Sequence, residues 1–336
     1  MDLAVTHPAT LIPPRLKHGD KVRFLSPAST PDREQVMRRT KILENWGLRV
    51  DFGEHAFDKM SFLAGTDDDR LSDFNAALND PDVRAILATR GGKGSYRIAD
   101  RLDFEAARRD PKFVVGFSDI TTLLLALDRN CGLVGIHGSV MDEADAHPTN
   151  MELRRLFLEG GDTVLAARTR ESTAALTTGG QASGRLIGGN LDMIAACAGW
   201  ALPRLDGAIL LLEAVEMQIG QVDRQFTMLR KAGHLDGVAG IAVGQFTGFK
   251  PSSGGLTVID LLRDHLQRLG VPILGGLPVG HGEGWLPIPH GAPAQLDAST
   301  GTLTVPWPAP LAAYVSAGVV SRSLLICFTA LPTVVL

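Results

Sequence analysis

Cysteine is nearly absent from this chain. Cys131, Cys197 and Cys327 stand at wide spacing, and an odd, scattered set supplies neither a disulfide framework nor a CxxC metal knuckle. Each reads as a small buried hydrophobe. Basic excess is also missing: the formal net charge is −4. A nucleic-acid partner requires a positive surface, and short clusters such as Arg15–Lys17–Lys21 and Arg154–Arg155 read as solvated surface, so no nucleic acid is expected to bind. The start, Met1-Asp2-Leu3, has no basic region followed by an apolar core and is not a secretion signal. Together with the sparse cysteines this points to a reducing cytoplasm. No HExxH, no paired His/Asp metal spacing and no complete nucleotide fingerprint occurs, so neither metal nor cofactor is expected.

Long apolar runs are missing until the end. From Gly318 to Leu336 the chain is apolar except for Arg322, a few hydroxyls and Cys327. That approaches a membrane-spanning length, but Arg322 and Pro332 weaken the case, and the stretch 309–336 reads instead as a loosely attached tail. What remains is ordinary globular composition, 45% hydrophobic and 21% charged over 336 residues, which suggests two domains.

The first half alternates short apolar runs with amphipathic stretches. Lys21 to Leu25 reads as a strand followed by the turn Ser26-Pro27-Ala28-Ser29. Asp32 to Trp46 carries apolar residues at helical spacing and stops at Gly47. A strand over Leu48 to Phe52 and a helix over Thr66 to Leu78 follow, with Thr66 and Asp69 marking the helix start. Its run Asp67-Asp68-Asp69 reads as helix N-terminal charge rather than a metal site. Val83 to Thr89 is a strand leading into Arg90-Gly91-Gly92-Lys93-Gly94-Ser95, and Phe113 to Phe117 is another buried strand. Strands separated by helices of this length predict βαβ units and a parallel sheet, whose ligands sit beyond the strands' carboxyl ends.

After residue 150 the texture changes. We divide the chain into an α/β unit over 1–150, a polar linker over 151–183, a β/α unit over 184–308 and the tail. The second unit opens with Gly184 to Leu191. It continues through a strand at Ala208 to Leu212, a helix at Asp223 to Ala232, a strand at Gly240 to Phe246 and a helix at Val258 to Leu269. It closes with a hairpin over 294–305.

Four places can carry chemistry. Ser118 lies where a strand gives way to a helix, in Gly116-Phe117-Ser118-Asp119-Ile120-Thr121. A nucleophile at such a junction stands clear of the backbone, in the field of a helix N-terminus with free N–H groups nearby. A serine N-cap followed by aspartate has the same local pattern. The glycines of Gly91-Gly92-Lys93-Gly94 let a backbone N–H approach a reacting carbonyl or form a plain turn. Glu213 ends the apolar strand, where a carboxylate must be paired or face a cleft. His281, in Val279-Gly280-His281-Gly282, sits between glycines that leave its ring accessible; His137 competes for the role of base, and His290 more weakly. A Ser–His–carboxylate set explains these candidates with the fewest additions, since a triad is defined by geometry and role.

With these pieces in order, the chain resembles the LD-carboxypeptidases and the related microcin-immunity peptidases. The resemblance rests on Gly19 to Val22 with Ser26 to Ser29, Arg90 to Gly94, Gly116 to Thr121, His137-Gly138, Gly184 to Leu191, Leu210 to Glu213, Asp223-Arg224 and Gly280 to Gly282. It covers roughly residues 16 to 306 and implies a flavodoxin-like N-terminal domain with a parallel sheet, a smaller mixed β/α C-terminal domain and a site at their junction. It implies Ser118 as nucleophile, with Glu213 and His281 completing the triad and the N–H groups of Gly92 and Asp119 as oxyanion hole. The implied substrates are muropeptides cut before terminal D-Ala during cell-wall recycling, and the implied assembly is a homodimer. The alternatives are an aminoacyl-nucleotide amide hydrolase with the same machinery and a non-catalytic peptide-binding module. Lys93 in the glycine loop, Ala214 after Glu213 and the segment Glu216 to Gln221 depart from the family pattern at positions expected to line the substrate pocket.

Overall fold

The computed structural model describes residues 7–251 and 254–307. Strands β1 (Lys21–Leu25), β2 (Arg49–Phe52), β3 (Val83–Ala88), β4 (Phe113–Gly116) and β5 (Gly135–His137) alternate with helices α1 (Arg33–Asn45), α2 (Asp67–Asn79), α3 (Phe104–Arg109) and α4 (Thr121–Cys131). The strands pair in parallel in the order β2-β1-β3-β4-β5, the doubly wound flavodoxin-like arrangement. Every residue of β4 is buried, as expected of a strand covered on both faces.

The helix starts follow the side chains that precede them. The Asp32 carboxylate accepts from the Gln35 N–H ahead of α1. Ahead of α2, the Thr66 hydroxyl accepts from the Asp69 N–H while the Asp69 carboxylate accepts from the Thr66 N–H, a reciprocal cap that satisfies two otherwise orphaned donors.

The second half adds α5 (Pro148–Arg154), β6 (Thr163–Ala166), β7 (Gln181–Asn190), α6 (Leu191–Ala196), β8 (Ile209–Val215), α7 (Ile219–Lys231), β9 (Gly240–Thr247), α8 (Val258–Gln267), β10 (Ile273–Leu274), β11 (Ile288–His290), β12 (Pro293–Asp297) and β13 (Thr302–Val305). Its sheet runs β10-β9-β8-β7-β12-β13-β6. β7 to β10 are parallel and the β12, β13 and β6 flank is antiparallel. The fold is thus α/β, with one sheet built on parallel strands and one mixed sheet.

Several local readings change. Residues 151–183, expected to be a polar linker, contain the end of α5, the strand β6 and a short 3-10 turn over Ser172–Leu176. β6 carries no alternation of polar and apolar residues, because its exposed positions are Val164 and Ala166 and one of its buried positions is Thr163. β11 returns to the first sheet and pairs antiparallel with β5; a three-residue buried strand carries no periodicity of its own. Glu213 does not end its strand, because β8 continues through Ala214 and Val215. α7 begins at Ile219, four residues ahead of the expected start. The 309–336 tail lies outside the described residues, and no helix within them is long and apolar enough to cross a membrane.

The two sheets share their apolar packing. One buried cluster joins Phe74, Val114 and Leu124 from the first half to Ile187, Leu212, Phe226 and Leu262 from the second. α4 lies between them, in contact with β5, β7 and α6. This brings the loop that follows β4 close to the ends of β7 and β8.

Candidate active site

Ser118 occupies the turn between β4 and α4, at φ +62°. A non-glycine residue pays for that conformation in steric strain, and such strain collects where a side chain must be thrust out of a turn. Gly116 makes the turn possible, since an added Cβ would come within 2.3 Å of the Ile120 side chain. Asp119 is buried and held twice over: its carboxylate accepts from the Ser95 N–H at 2.8 Å, and its backbone carbonyl accepts from the Ser95 hydroxyl at 2.6 Å. Burial raises its carboxyl pKa above the usual range. The Asp119 N–H lies in the first turn of a helical segment, where N–H groups lack intrahelical acceptors.

Against this turn packs the glycine loop after β3. A Cβ at Gly91 would stand 2.9 Å from the Ser118 Cβ and 3.1 Å from its Oγ. Gly92 has φ +114° and presses on Ser29, whose hydroxyl accepts from the Lys93 N–H at 3.1 Å. The turn after β1 therefore braces the glycine loop from behind. Among the described residues, the Gly92 N–H donates to no protein acceptor.

Glu213 lies in β8, fully buried. His281 Nδ1–H donates to Glu213 Oε2 at 2.7 Å; the other carboxylate oxygen is buried without a partner. His281 belongs to the loop between β10 and β11. That loop runs beside β9, with the Gln245 N–H donating to the Val279 carbonyl. Gln245 clamps it further: its Oε1 accepts from the Gly282 N–H at 2.8 Å, while its Nε2 donates to the Glu283 carbonyl and to Glu171. Gly280 is at φ +137°, and a Cβ added there would stand 3.2 Å from Glu213. The Phe117 ring packs at a tilt against the His281 ring, 4.9 Å between centroids, and against Trp285 at 5.1 Å.

Ser118 and His281 open on one cavity of about 340 Å³, whose wall also includes Gln35, Arg39, Arg90 and Phe117. No hydrogen bond joins the Ser118 hydroxyl to His281 among the described residues. The competing histidines do not line this cavity, although His137 lies close by, 5.9 Å from the Phe117 ring and within electrostatic reach of Glu213 and His281. His137 and His290 are fully buried, and desolvation lowers each pKa to about 4. Neither ring nitrogen of His137 has a partner, whereas His290 Nε2 accepts from the Gly188 N–H at 3.2 Å. Lys93 is exposed and Ala214 is buried, and neither belongs to the cavity wall where they were expected.

Sequence reasoning missed Gln35, Arg39 and Gln245. The first two lie on α1 with no local pattern that marks them, and Gln245 is a polar residue inside an apolar strand, the one local signal available for it. Cys131 and Cys197 are buried free thiols whose pKa values desolvation pushes up to about 11 and about 12, so both stay protonated and inert; Cys327 lies outside the described residues. His55, Asp58 and Asp69 offer ligand atoms within 4.8 Å of one another. Asp69 already serves the α2 cap there, and the Asp58 and His55 side chains pair with each other.

The description "LD-carboxypeptidase N-terminal domain" matches residues 22–138 and "LD-carboxypeptidase C-terminal domain" matches residues 183–296. A Bacillus subtilis protein named "Probable murein peptide carboxypeptidase" is 34% identical over 304 residues, covering 87% of this chain and 93% of its own length. Among solved structures, the muramoyltetrapeptide carboxypeptidase from Oxalobacter formigenes superposes with a TM-score of 0.74 at 24% identity, over 85% of this chain and 98% of that one. The wild-type microcin C7 self-immunity protein MccF, known from Escherichia coli, gives 0.78 at 22%, over 88% and 98%. At these identities the structural matches speak for the fold. The two matched halves and the Bacillus relative show that the chain belongs to the LD-carboxypeptidase family, as a serine-type hydrolase.

Proposed function

We propose that this enzyme hydrolyses the L,D-peptide bond before the terminal D-Ala of muropeptides, with Ser118 as nucleophile, His281 as general base and Glu213 as the group that orients the base. The observation that carries the assignment is the 2.7 Å bond from His281 Nδ1 to buried Glu213, made by a histidine that shares its cavity with Ser118. Donation through Nδ1 leaves Nε2 as the acceptor. As Ser118 Oγ attacks the scissile carbonyl, its proton passes to His281 Nε2. The oxyanion would be held by the N–H groups of Gly92 and Asp119, one left free by the glycine loop and one at the start of a helical turn. Collapse expels D-Ala, whose amine takes the proton from His281, and water then hydrolyses the acyl-enzyme by the same relay.

The proton transfer requires Ser118 Oγ to come within hydrogen-bond reach of His281 Nε2 as the substrate is attacked, and both groups line one cavity. We place this activity in the cytoplasm, in cell-wall recycling, and assign the enzyme a homodimeric state as the family resemblance implies. The test compares D-Ala release from a muropeptide tetrapeptide with cleavage of an aminoacyl sulfamoyl adenosine. Faster turnover of the tetrapeptide supports the proposal; turnover of the nucleotide conjugate alone assigns the enzyme to the other substrate class.

A further inference from the structure

We infer that Arg39 and Arg90 form a subsite for the free C-terminal carboxylate of the substrate, an inference that rests on the peptidase reading above. The case begins with charge. Apart from His281, Arg39 and Arg90 are the ionisable side chains in the wall of the cavity that holds Ser118, and no carboxylate belongs to that wall. The cavity is therefore cationic, and its natural occupant is an anion.

Arg39 is the more telling of the two. Its Nη1 donates to the Thr89 carbonyl at 2.7 Å, which fixes the side chain, while its Nε is buried with no partner. No salt bridge to Arg39 occurs among the described residues. Asp142 acts on it through space, but that carboxylate is taken up by Arg38 at 3.0 Å and by Gln35 at 3.4 Å. A half-buried guanidinium without a counter-ion has lost hydration and received no ionic partner in return. A planar carboxylate matches its donor fork.

Arg90 supplies the second cation from a well-defined place. It immediately precedes Gly91, which packs on Ser118, and its side chain is exposed. In a peptide, the terminal carboxyl carbon lies one residue beyond the scissile carbonyl carbon, on the order of 4 Å away. A receptor for that carboxylate must therefore stand directly beside the nucleophile, and residues 90–92 do so. An internal peptide bond would put a neutral amide against both cations and leave them unpaired, which restricts cleavage to the last residue.

The experiment measures kcat/KM for an L,D-tetrapeptide with a free C-terminus and for its C-terminal amide, in the wild type and in Arg39→Gln, Arg90→Gln and Arg39→Lys. The wild type should favour the acid by about 10- to 100-fold, the range expected of charge-assisted hydrogen bonds. Each glutamine variant should reduce that acid-to-amide ratio by about tenfold, and Arg39→Lys, which keeps the charge but loses the planar fork, should fall between Arg39→Gln and the wild type. A generally damaged protein would lose both rates and keep the ratio. Because Arg90 is exposed, its variant tests the idea even if Arg39→Gln folds poorly. An unchanged ratio in both glutamine variants overturns the subsite while leaving the peptidase intact. A wild type that cuts neither peptide overturns the peptidase reading, and the subsite with it. Arginine-dependent cleavage confined to an acyl sulfamoyl adenosine would assign the cations to that linker and also overturn the carboxylate assignment.

Discussion

Acid should destabilise this protein well before its carboxylates titrate, because two histidines are buried in their neutral form. His137 and His290 each have a folded-state pKa near 4 in place of 6.5. For both, desolvation outweighs the carboxylates that favour the charged form, Glu213 for His137 and Asp128 for His290. The lowered value fixes the sign: between about pH 6.5 and 4 the unfolded chain binds protons that the folded chain refuses, so stability falls as pH falls. By linkage each histidine costs about 2 kcal/mol by pH 5, rising towards about 3 kcal/mol below pH 4. Together they should remove about 4 kcal/mol between pH 7.5 and pH 5, a large share of a typical folding free energy. Urea unfolding followed by tryptophan fluorescence at the two pH values measures this, and His290→Gln isolates one contribution. Glutamine can still accept from the Gly188 N–H but does not titrate, so the variant should lose about 2 kcal/mol less than the wild type over the same interval. Asp73 and Asp119, whose pKa values burial raises, act in the opposite direction but equally in both proteins. Identical pH dependence in wild type and variant would refute the reasoning.

Other expectations follow from the same geometry. Glu213→Gln removes the charge that holds the His281 tautomer and should lower kcat by about 10²- to 10⁴-fold, with circular dichroism unchanged. Gly91→Ala places a methyl group against Ser118 and should reduce kcat at least about tenfold while moving Tm little, since nucleophile placement is sensitive to small displacements. Gly188→Ala meets the Leu211 carbonyl at 2.1 Å from a residue at φ +132°, so it should destabilise the protein by more than about 2 kcal/mol by urea titration.

Much of the first sheet could be read from the chain because its signals are local. β3 and β4 are largely apolar runs, β1 and β2 alternate charged with apolar residues, and α1 and α2 carry their own caps in Asp32 and Thr66. The junction at Ser118 was legible for the same reason: a strand, a tight turn and a helix meet within a few residues. β6 and β11 could not be recognised, since each is short and becomes a strand only through a distant partner, β13 and β5 respectively. The proximity of Glu213 to His281 spans 68 positions; no local pattern encodes it, and the family resemblance supplied the pairing. Arg39 shows the limit most clearly. On α1 it resembles any solvated helix residue, and its involvement arises from the Thr89 carbonyl and the loop after β3, which the tertiary fold brings to it.

Mass spectrometry of a purified muropeptide tetrapeptide, incubated with wild-type enzyme and with Ser118→Ala, tests the central claim most directly. The account predicts loss of the terminal D-Ala with the wild type and a drop of several orders of magnitude in the variant, whose fold should be intact by Tm. Near-normal D-Ala release by the alanine variant would contradict it.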